Sequence, residues 1–367
     1  MNILQLCLSS GLGGLELYVY RASDALNKNH KVIAVLLKDS KLDNYYRQHS
    51  TIDILHLDRK KNPVPLLNAR RLAKIIDDNE IDIVHMHWGK DLALAAFAKF
   101  FSSRKPRLVY TRQMMITRYK NDLYHRFLYS QLDLMLTITR QLESLCKKFI
   151  DAKNLSIKTL YYGVNPPGRI LDDTEISAAR KEKGFTGDDF VVGLFGRLEE
   201  EKGQHLLINA IAQARDNGED IKALLVGHEM NAGYREQLRQ LATEKGVLDN
   251  IIFNDFVDQP QQLMQICNCI CLATYEETFG LVLPEAMRTG IAVIGSDSGG
   301  VPEIIDHDKT GLLFEAKNAH SLYLQIARLY SDPALTKTLA TDGKRDADLR
   351  FNTEDHFSLL EKYITEI

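Results

Sequence analysis

The chain of 367 residues is 45% hydrophobic and 26% charged, which excludes intrinsic disorder, and it is longer than one hydrophobic core usually serves. Its formal net charge of −3 combines +11 over residues 1–165 with −14 over the rest, which indicates different partners for the two halves. Five cysteines, an odd count, exclude a disulfide framework, and no apolar run approaches the roughly 20 residues of a membrane helix, so we expect a cytoplasmic protein.

In the first half of the chain, short apolar runs alternate with segments of helical periodicity, as in a parallel sheet wrapped by helices. The apolar runs predict strands at residues 2–9, 31–37, 52–57, 81–85, 107–111, 135–138 and 157–161. The segments between them predict helices at residues 15–28, 66–79, 92–101, 122–130 and 140–149.

The segment Tyr162-Gly-Val-Asn-Pro-Pro-Gly168 is rich in turn-forming residues and predicts a linker, after which the alternation restarts. Strands are predicted at residues 190–195, 222–226, 251–253, 269–273, 292–295 and 311–314. Helices are predicted at residues 205–217, 233–245, 261–267, 283–289, 319–331 and 353–367.

These elements predict an α/β protein of two facing, Rossmann-like, doubly wound parallel-sheet domains, with a ligand in the cleft between them. We expect an acceptor-side domain at residues 1–164 and a donor-binding domain at residues 165–349. The last helix, about residues 350–367, is expected to join the first domain.

The turn Ser9-Ser-Gly-Leu-Gly-Gly-Leu-Glu16 leads from the first strand to the first helix. Its glycines, Gly13 and Gly14 among them, let the backbone approach a ligand closely, and a helix N-terminus favours an anion. An ordinary tight turn explains the same residues equally well.

The turn Phe195-Gly-Arg-Leu-Glu-Glu-Glu-Lys-Gly203 places two cations after a predicted strand. Arg197 offers a bidentate fork and Lys202 a point charge, which together suit a diphosphate. The three glutamates between these cations are interpreted as a solvated loop.

The segment from Glu276 to Met287 carries two carboxylates eight residues apart, Glu277 and Glu285. Carboxylates accept hydrogen bonds from hydroxyl groups, so one could hold a sugar and the other a ribose. The alternative is a capping acid beside a surface acid. Between the carboxylates, a loop is expected to enter a helix with its N–H groups toward a ligand, formed by Phe279, Gly280, Leu281 and Val282.

His85 and His87 are expected on one face of a strand, where a structural or acceptor-lining role is favoured over metal binding because further ligands are lacking. Cys267, Cys269 and Cys271 alternate in the same way and are interpreted as buried thiols. No metal is therefore expected.

Basic residues are clustered in the first half of the chain and favour an anionic membrane surface or a phosphate-bearing acceptor. A solvated surface explains them equally well. The residues include Arg59-Lys-Lys61, Arg70, Arg71, Arg104, Lys105, Arg107, Arg112, Arg118, Lys120 and Arg126.

Taken together, these segments resemble the retaining nucleotide-sugar glycosyltransferases of family 4 (glycosyl transferases group 1), which have the GT-B fold. The Glu-x7-Glu motif of that family matches Glu277 and Glu285, and its phosphate clamp matches Gly196-Arg197 and Lys202-Gly203. Its two glycine motifs match Gly13-Gly-Leu-Glu16 and Gly299-Gly-Val-Pro-Glu303. The resemblance covers essentially the whole chain.

The resemblance implies transfer of a sugar from a UDP- or GDP-sugar to a saccharide or lipid-linked acceptor, as in cell-surface polysaccharide or lipopolysaccharide assembly. Arg197 and Lys202 would stabilise the leaving diphosphate, Glu277 would hold the donor sugar, Glu285 the ribose, and Gly14 would admit the distal phosphate. The departing phosphate would take the acceptor proton, so neither a metal nor another cofactor is expected. The acceptor side is expected to include Gly13, Glu16, His85, His87 and Arg112.

One departure from the family pattern lies after the fifth strand, where Tyr110-Thr-Arg-Gln-Met114 has Gln113 in place of a histidine. Glutamine can donate to the donor sugar but cannot transfer a proton, so we expect Gln113 in the catalytic set with Arg112 adding charge. Because of this departure, the alternative that the chain is a subunit that binds the nucleotide sugar without turnover stays open.

Other reactions are less favoured. An epimerase or a phosphorylase on the same fold does not agree with the Glu-x7-Glu match, and glycoside hydrolysis leaves the cations of the phosphate clamp without a role. The partners expected are thus a nucleotide-sugar donor, its acceptor and an anionic membrane on the cytoplasmic side, with no nucleic acid.

Overall fold

A computed structural model describes residues 1–58, 64–152 and 154–367. The chain divides into two compact units. Unit 1 comprises Met1–Tyr161 together with Glu354–Ile367, and unit 2 comprises Tyr162–Thr353. The basic segment Arg59-Lys-Lys61 lies outside the described residues.

Unit 1 is built on a parallel sheet of seven strands in the order β3-β2-β1-β4-β5-β6-β7. The order reverses between β1 and β4, and the carboxyl ends of the strands at such a reversal are where doubly wound sheets bind ligands. The strands are β1 (Asn2–Cys7), β2 (Lys31–Leu36), β3 (Asp53–His56), β4 (Ile83–Met86), β5 (Arg107–Arg112), β6 (Leu134–Thr137) and β7 (Ser156–Thr159).

The helices of unit 1 cover this sheet with apolar faces; α1, for example, buries Tyr18, Val19, Ala22 and Leu26. Because the strands are covered in this way, β1 is buried from Ile3 to its end. The helices are α1 (Gly14–Leu26), α2 (Lys41–His49), α3 (Leu66–Asp78), α4 (Leu92–Phe101), α5 (Leu123–Ser130) and α6 (Arg140–Phe149).

Unit 2 repeats this architecture on a parallel sheet of six strands in the order β10-β9-β8-β11-β12-β13. Its strands are β8 (Phe190–Phe195), β9 (Ile221–Val226), β10 (Ile251–Asn254), β11 (Cys269–Leu272), β12 (Ala292–Ser296) and β13 (Leu312–Phe314). Its helices are α7 (Asp173–Glu182), α8 (Gln204–Asp216), α9 (Tyr234–Glu244), α10 (Pro260–Met264), α11 (Val282–Arg288), α12 (Ala319–Ser331) and α13 (Pro333–Arg350).

The core of unit 2 includes the thiols of Cys269 and Cys271 on β11, and Cys267 before that strand is buried as well. All three cysteines are free, and burial raises the pKa of the Cys267 thiol to about 12. The interpretation as buried thiols is confirmed.

The last helix, α14 (Thr353–Thr365), packs within unit 1 through the buried residues His356, Leu360 and Ile364. His356 bonds through its imidazole nitrogens to the carbonyl of Tyr161, at 2.6 Å, and to the hydroxyl of Tyr18, at 3.1 Å.

All strands predicted from the sequence are present, but three helices, α2, α7 and α13, were not predicted. They bury few apolar residues: α2 buries Leu42 and Tyr46, α7 buries no residue, and α13 buries only Leu339, Gly343 and Ala347 over eighteen residues. In the described residues no helix is both long and apolar enough to span a bilayer.

Candidate functional site

Three loops lie at the carboxyl edge of the sheet of unit 2, after β8, β11 and β12. Lys202, in the loop after β8, donates from Nζ to Oε2 of Glu277, in the loop after β11, at 2.7 Å. The two side chains are 20% and 22% exposed, so the ion pair is partly desolvated yet still accessible. The structure thus brings together two predicted site residues that are 75 positions apart.

Arg197 follows the same strand as Lys202, and its Nη2 lies 2.8 Å from Oε1 of Glu199. Half of the Arg197 side chain is exposed, whereas that of Glu199 is only 16% exposed. The interpretation of the three glutamates as a solvated loop is therefore wrong for Glu199, because that carboxylate orients Arg197. Sequence reasoning gave Glu199 no role, since nothing local distinguishes it from Glu200.

A glycine turn after β12 supports the Glu277 loop from behind its backbone. The amide of Gly300 donates to the carbonyl of Glu277 at 2.8 Å. Gly299 has a φ of +63°, and a Cβ there would lie 2.0 Å from the same carbonyl oxygen. Only glycine allows this approach, so the Gly299-Gly300 turn sets the position of the Glu277 backbone.

The residues that follow Glu277 divide between core and surface. Phe279 is 2% exposed and its ring packs edge-on against Tyr162 and Phe351, so only its backbone could meet a ligand. Gly280 has a φ of +92° that favours glycine, and Leu281 and Val282 are half-buried. Glu285 lies half-buried in the first turn of α11.

In unit 1, the glycine turn after β1 is held by Glu16. Its Oε2 accepts from the amide of Gly13 at 2.8 Å, and its Oε1 accepts from the hydroxyl of Ser9 at 2.5 Å. Glu16 is 9% exposed, so its carboxylate is occupied within the loop, and Gly14 begins α1. Glu16 therefore shapes the turn, a role that becomes visible only with its partner Ser9.

His85 and His87 are buried side by side, with ring centroids 4.1 Å apart. Their Nε2 atoms lie 2.7 Å from Thr111 Oγ1 and Gln5 Oε1, respectively. Burial lowers the pKa of His85 to about 3 and that of His87 well below its usual value, so both rings are neutral at pH 7. In the described residues no group of three or more acidic, histidine or cysteine side chains could hold a metal.

Arg112 ends β5 and Gln113 follows it; both are buried, at 9% and 8% exposure. Arg112 donates from Nη2 to the carbonyl of Met115 at 2.9 Å. Its side chain also lines a cavity of about 530 Å³ in unit 1, together with Arg118 and Lys120. Sequence reasoning named these cations only as part of a basic cluster, since the shared cavity follows from the fold.

Two family models match the chain in succession. "Glycosyltransferase Family 4" matches residues 12–166, and "Glycosyl transferases group 1" matches residues 175–346. Together they account for most of both units.

Named relatives span most of the chain. N-acetyl-alpha-D-glucosaminyl L-malate synthase of Bacillus anthracis is 24% identical over 80% of this chain and 76% of its own length. The putative glycosyltransferase EpsD of Bacillus subtilis is 27% identical over 79% of this chain and 78% of its own length.

Solved structures share the fold over the full length. Alr3699/HepE of Anabaena, solved in complex with UDP, superposes with a TM-score of 0.87 at 24% identity, and all of both chains is covered. The lipopolysaccharide outer core galactosyltransferase WaaB gives a TM-score of 0.79 at 17% identity, with 100% and 99% covered.

Proposed function

The chain belongs to the GT-B glycosyltransferases of family 4 and is a glycosyl transferase, and from this premise we propose that it is a retaining, metal-independent enzyme that uses a nucleotide-diphosphate sugar. The acceptor would be a saccharide or a lipid-linked saccharide, in cell-surface polysaccharide or lipopolysaccharide assembly. Relatives whose names mention UDP and lipopolysaccharide support this choice of donor and acceptor.

The observation that carries the proposal is the ion pair between Lys202 and Glu277 at the carboxyl edge of the sheet of unit 2. A diphosphate placed beside Lys202 would pair with the positive charge of that side chain, and the carboxylate of Glu277 would accept hydrogen bonds from sugar hydroxyls. Arg197, half exposed and oriented by Glu199, can add a bidentate contact to the same anion.

These residues act on the leaving group. As the bond from the anomeric carbon to the phosphate oxygen breaks, negative charge grows on the diphosphate, and preorganised cations stabilise that charge more than they stabilise the bound donor. The departing phosphate would take the acceptor proton, so neither a catalytic base nor a metal is required. Glu285 would bind the ribose, and Gln113 would donate to the donor sugar.

Thermal unfolding with nucleotides tests the donor. The wild type is heated in a buffer that contains EDTA, with UDP, GDP or ADP added either alone or as a sugar conjugate. The nucleotide that binds should raise the melting temperature, because a ligand that binds only the folded state stabilises it. Arg197→Ala should lose that shift. Arg345→Ala is the matched control, since Arg345 is exposed and paired with Asp342 on α13.

The outcome also decides between turnover and binding alone. A nucleotide shift with no sugar transfer would favour a nucleotide-sugar-binding subunit, for which Gln113 is the motivating residue. Absence of any shift in the wild type would overturn the donor site. NMR of the transferred sugar decides retention, because an inverted anomeric configuration contradicts it.

The basic unit 1 also supports a position on the anionic cytoplasmic face of a membrane. Its described residues include exposed Leu66 and Leu67 at the start of α3, followed by Arg70 and Arg71. Sedimentation with vesicles should show a preference for anionic lipid that disappears at high salt. Equal binding to neutral vesicles would contradict this position.

A further inference from the structure

The cavity in unit 1 lies at the carboxyl edge of its sheet. Leu8 follows β1, Asp58 follows β3, Gly89 follows β4 and Arg112 ends β5, and all four line the cavity. It therefore flanks the reversal of strand order between β1 and β4, where doubly wound sheets bind ligands. Its volume of about 530 Å³ is that of a small-molecule site.

Positive charge dominates the walls of this cavity. Among the described lining residues, only Asp58 and Asp91 carry carboxylates, and Oδ2 of Asp91 accepts from the amide of Leu8 at 2.9 Å. Over residues 1–58, 64–152 and 154–367, none of the lining Lys and Arg side chains forms an ion pair with a carboxylate. These side chains are Lys90, Arg112, Arg118 and Lys120.

Arg112 is the most deeply buried of these cations, at 9% exposure. Its guanidinium donates to the carbonyl of Met115 at 2.9 Å and to the hydroxyl of Tyr110 at 3.4 Å, both neutral acceptors. Among the described residues, its Nε has no hydrogen-bond partner. Burying a charge without a counter-charge costs free energy. An anion in the cavity would offset that cost.

Lys120 lies close enough to the other cations to be repelled by them. Burial lowers the pKa of Lys120, and the positive charges of Arg118 and Arg112 lower it further. Its Nζ is 3.4 Å from Nε2 of His125, whose Nδ1 lies 2.5 Å from Asp122. Lys120 and the two arginines that repel it are stabilised more by a multivalent anion than by a single negative charge.

We propose that this cavity binds a phosphate or diphosphate group of the acceptor, held by Arg112, Arg118 and Lys120. The two arginines supply planar forks for phosphate oxygens, and Lys120 supplies a point charge. Tyr124 and Leu128 on α5, which also line the cavity, would pack against the organic part of the same molecule. The identification of this molecule as the acceptor rests on the proposed function, whereas the anion site itself does not.

The only tryptophan of the chain reports on this cavity. Trp88 precedes the lining residues Gly89 and Lys90, and Nζ of Lys90 lies 5.0 Å from its ring centroid. Titration of the full chain with inorganic pyrophosphate at constant ionic strength should give a saturable change in Trp88 emission. Unit 2 itself contains no tryptophan.

Variants of exposed or half-exposed cations test the assignment without removing a buried side chain. Arg118→Gln and Lys120→Gln should each raise the dissociation constant for pyrophosphate at least tenfold. Arg126→Gln should leave it unchanged, because Arg126 lies on α5 outside the cavity and pairs with Asp151 at 2.7 Å. No saturable emission change, or one that both cavity variants retain, would overturn the site.

Two further ligands distinguish the source of the phosphate. A hexose 6-phosphate represents a water-soluble acceptor, and phosphatidylcholine vesicles with a polyprenyl phosphate represent a lipid-linked one. Tighter binding of either, sensitive to Arg118→Gln, supports the site and identifies its source. Tighter binding of malonate than of pyrophosphate would overturn the phosphate assignment.

The same variants separate this inference from the proposed function. Nucleotide-induced thermal stabilisation should survive Arg118→Gln, since that residue belongs to unit 1. Stabilisation by nucleotide without a Trp88 response overturns the anion site alone. A Trp88 response without nucleotide stabilisation overturns the donor assignment alone.

Discussion

Two pairs of polar side chains, one in each unit, differ in burial and in charge. Lys202 and Glu277 form a close ion pair and are partly exposed, so a ligand can reach both side chains. His85 and His87 are buried and neutral, and their hydrogen bonds to Thr111 and Gln5 cross between strands of the sheet. The first pair is suited to binding, and the second adds side-chain hydrogen bonds between neighbouring strands of unit 1.

The neutral state of His85 predicts a loss of stability in acid. In the unfolded chain this histidine titrates near pH 6.5, whereas burial lowers its pKa in the folded state to about 3. Between these values the unfolded state binds more protons, so the free energy of unfolding decreases as the pH falls. At pH 5 this titration of His85 lowers the free energy of unfolding by about 2 kcal/mol.

Urea unfolding followed by Trp88 emission measures this effect in unit 1. His85→Gln keeps a side chain that can hydrogen-bond to Thr111 but does not titrate, so the difference in unfolding free energy between pH 7 and pH 5 should shrink by about 2 kcal/mol. His49→Gln changes an exposed histidine of α2 and serves as the control. The same pH dependence in wild type and His85→Gln would contradict a buried neutral ring.

At the scale of elements, a helix that buries few apolar residues leaves little hydrophobic periodicity in the sequence. The strands were predicted because most of them are short apolar runs, and α4 was predicted over its observed range, Leu92–Phe101. The helix α7 buries nothing and depends instead on a capping box between Asp172 and Glu175. The helix α13 contacts its neighbours through small residues such as Gly343 and Ala347, which leave little hydrophobic pattern.

The turn after β12 yields a prediction about the Glu277 loop. Gly299→Ala should weaken nucleotide binding at least tenfold, because a Cβ would displace the carbonyl of Glu277, only 2.0 Å away. Gly218→Ala is the matched control: its φ is +79°, but no atom lies within 4 Å of the added Cβ. Both variants should lose about 1–2 kcal/mol of stability from the left-handed backbone.

Nucleotide affinity, measured by thermal shift, separates the two effects. Equal weakening in Gly218→Ala and Gly299→Ala would mean that global destabilisation, rather than the position of Glu277, controls the site. Full affinity in Gly299→Ala would show that the loop tolerates displacement.

At the scale of the whole molecule, the chain completes unit 1 only with its last helix. The segment Glu354–Ile367 packs within unit 1 although all of unit 2 separates it in sequence from Tyr161. His30, which directly precedes β2, lies 2.9 Å from Glu361 of α14. Unit 1 therefore depends on contacts of very long sequence separation.

Leu360→Ala tests this dependence. Leu360 is fully buried in α14, so the substitution should reduce the unfolding free energy of unit 1 by about 2–5 kcal/mol. Leu359→Ala, one position earlier and 37% exposed, should change it by less than about 1 kcal/mol. Urea unfolding followed by Trp88 emission measures both, and equal effects would contradict the packing of α14 on unit 1.

Local patterns in the sequence determined the α/β class, the strands and the motif residues Arg197, Lys202 and Glu277, because hydrophobic periodicity and turn chemistry act over a few residues. The tertiary structure alone decided which residues meet. Sheet order brings Lys202 to Glu277 and Gly299 to the Glu277 backbone, and it gathers the loops after β1, β3, β4 and β5 around one basic cavity. Such contacts depend on how distant strands pair, and no local pattern encodes that pairing.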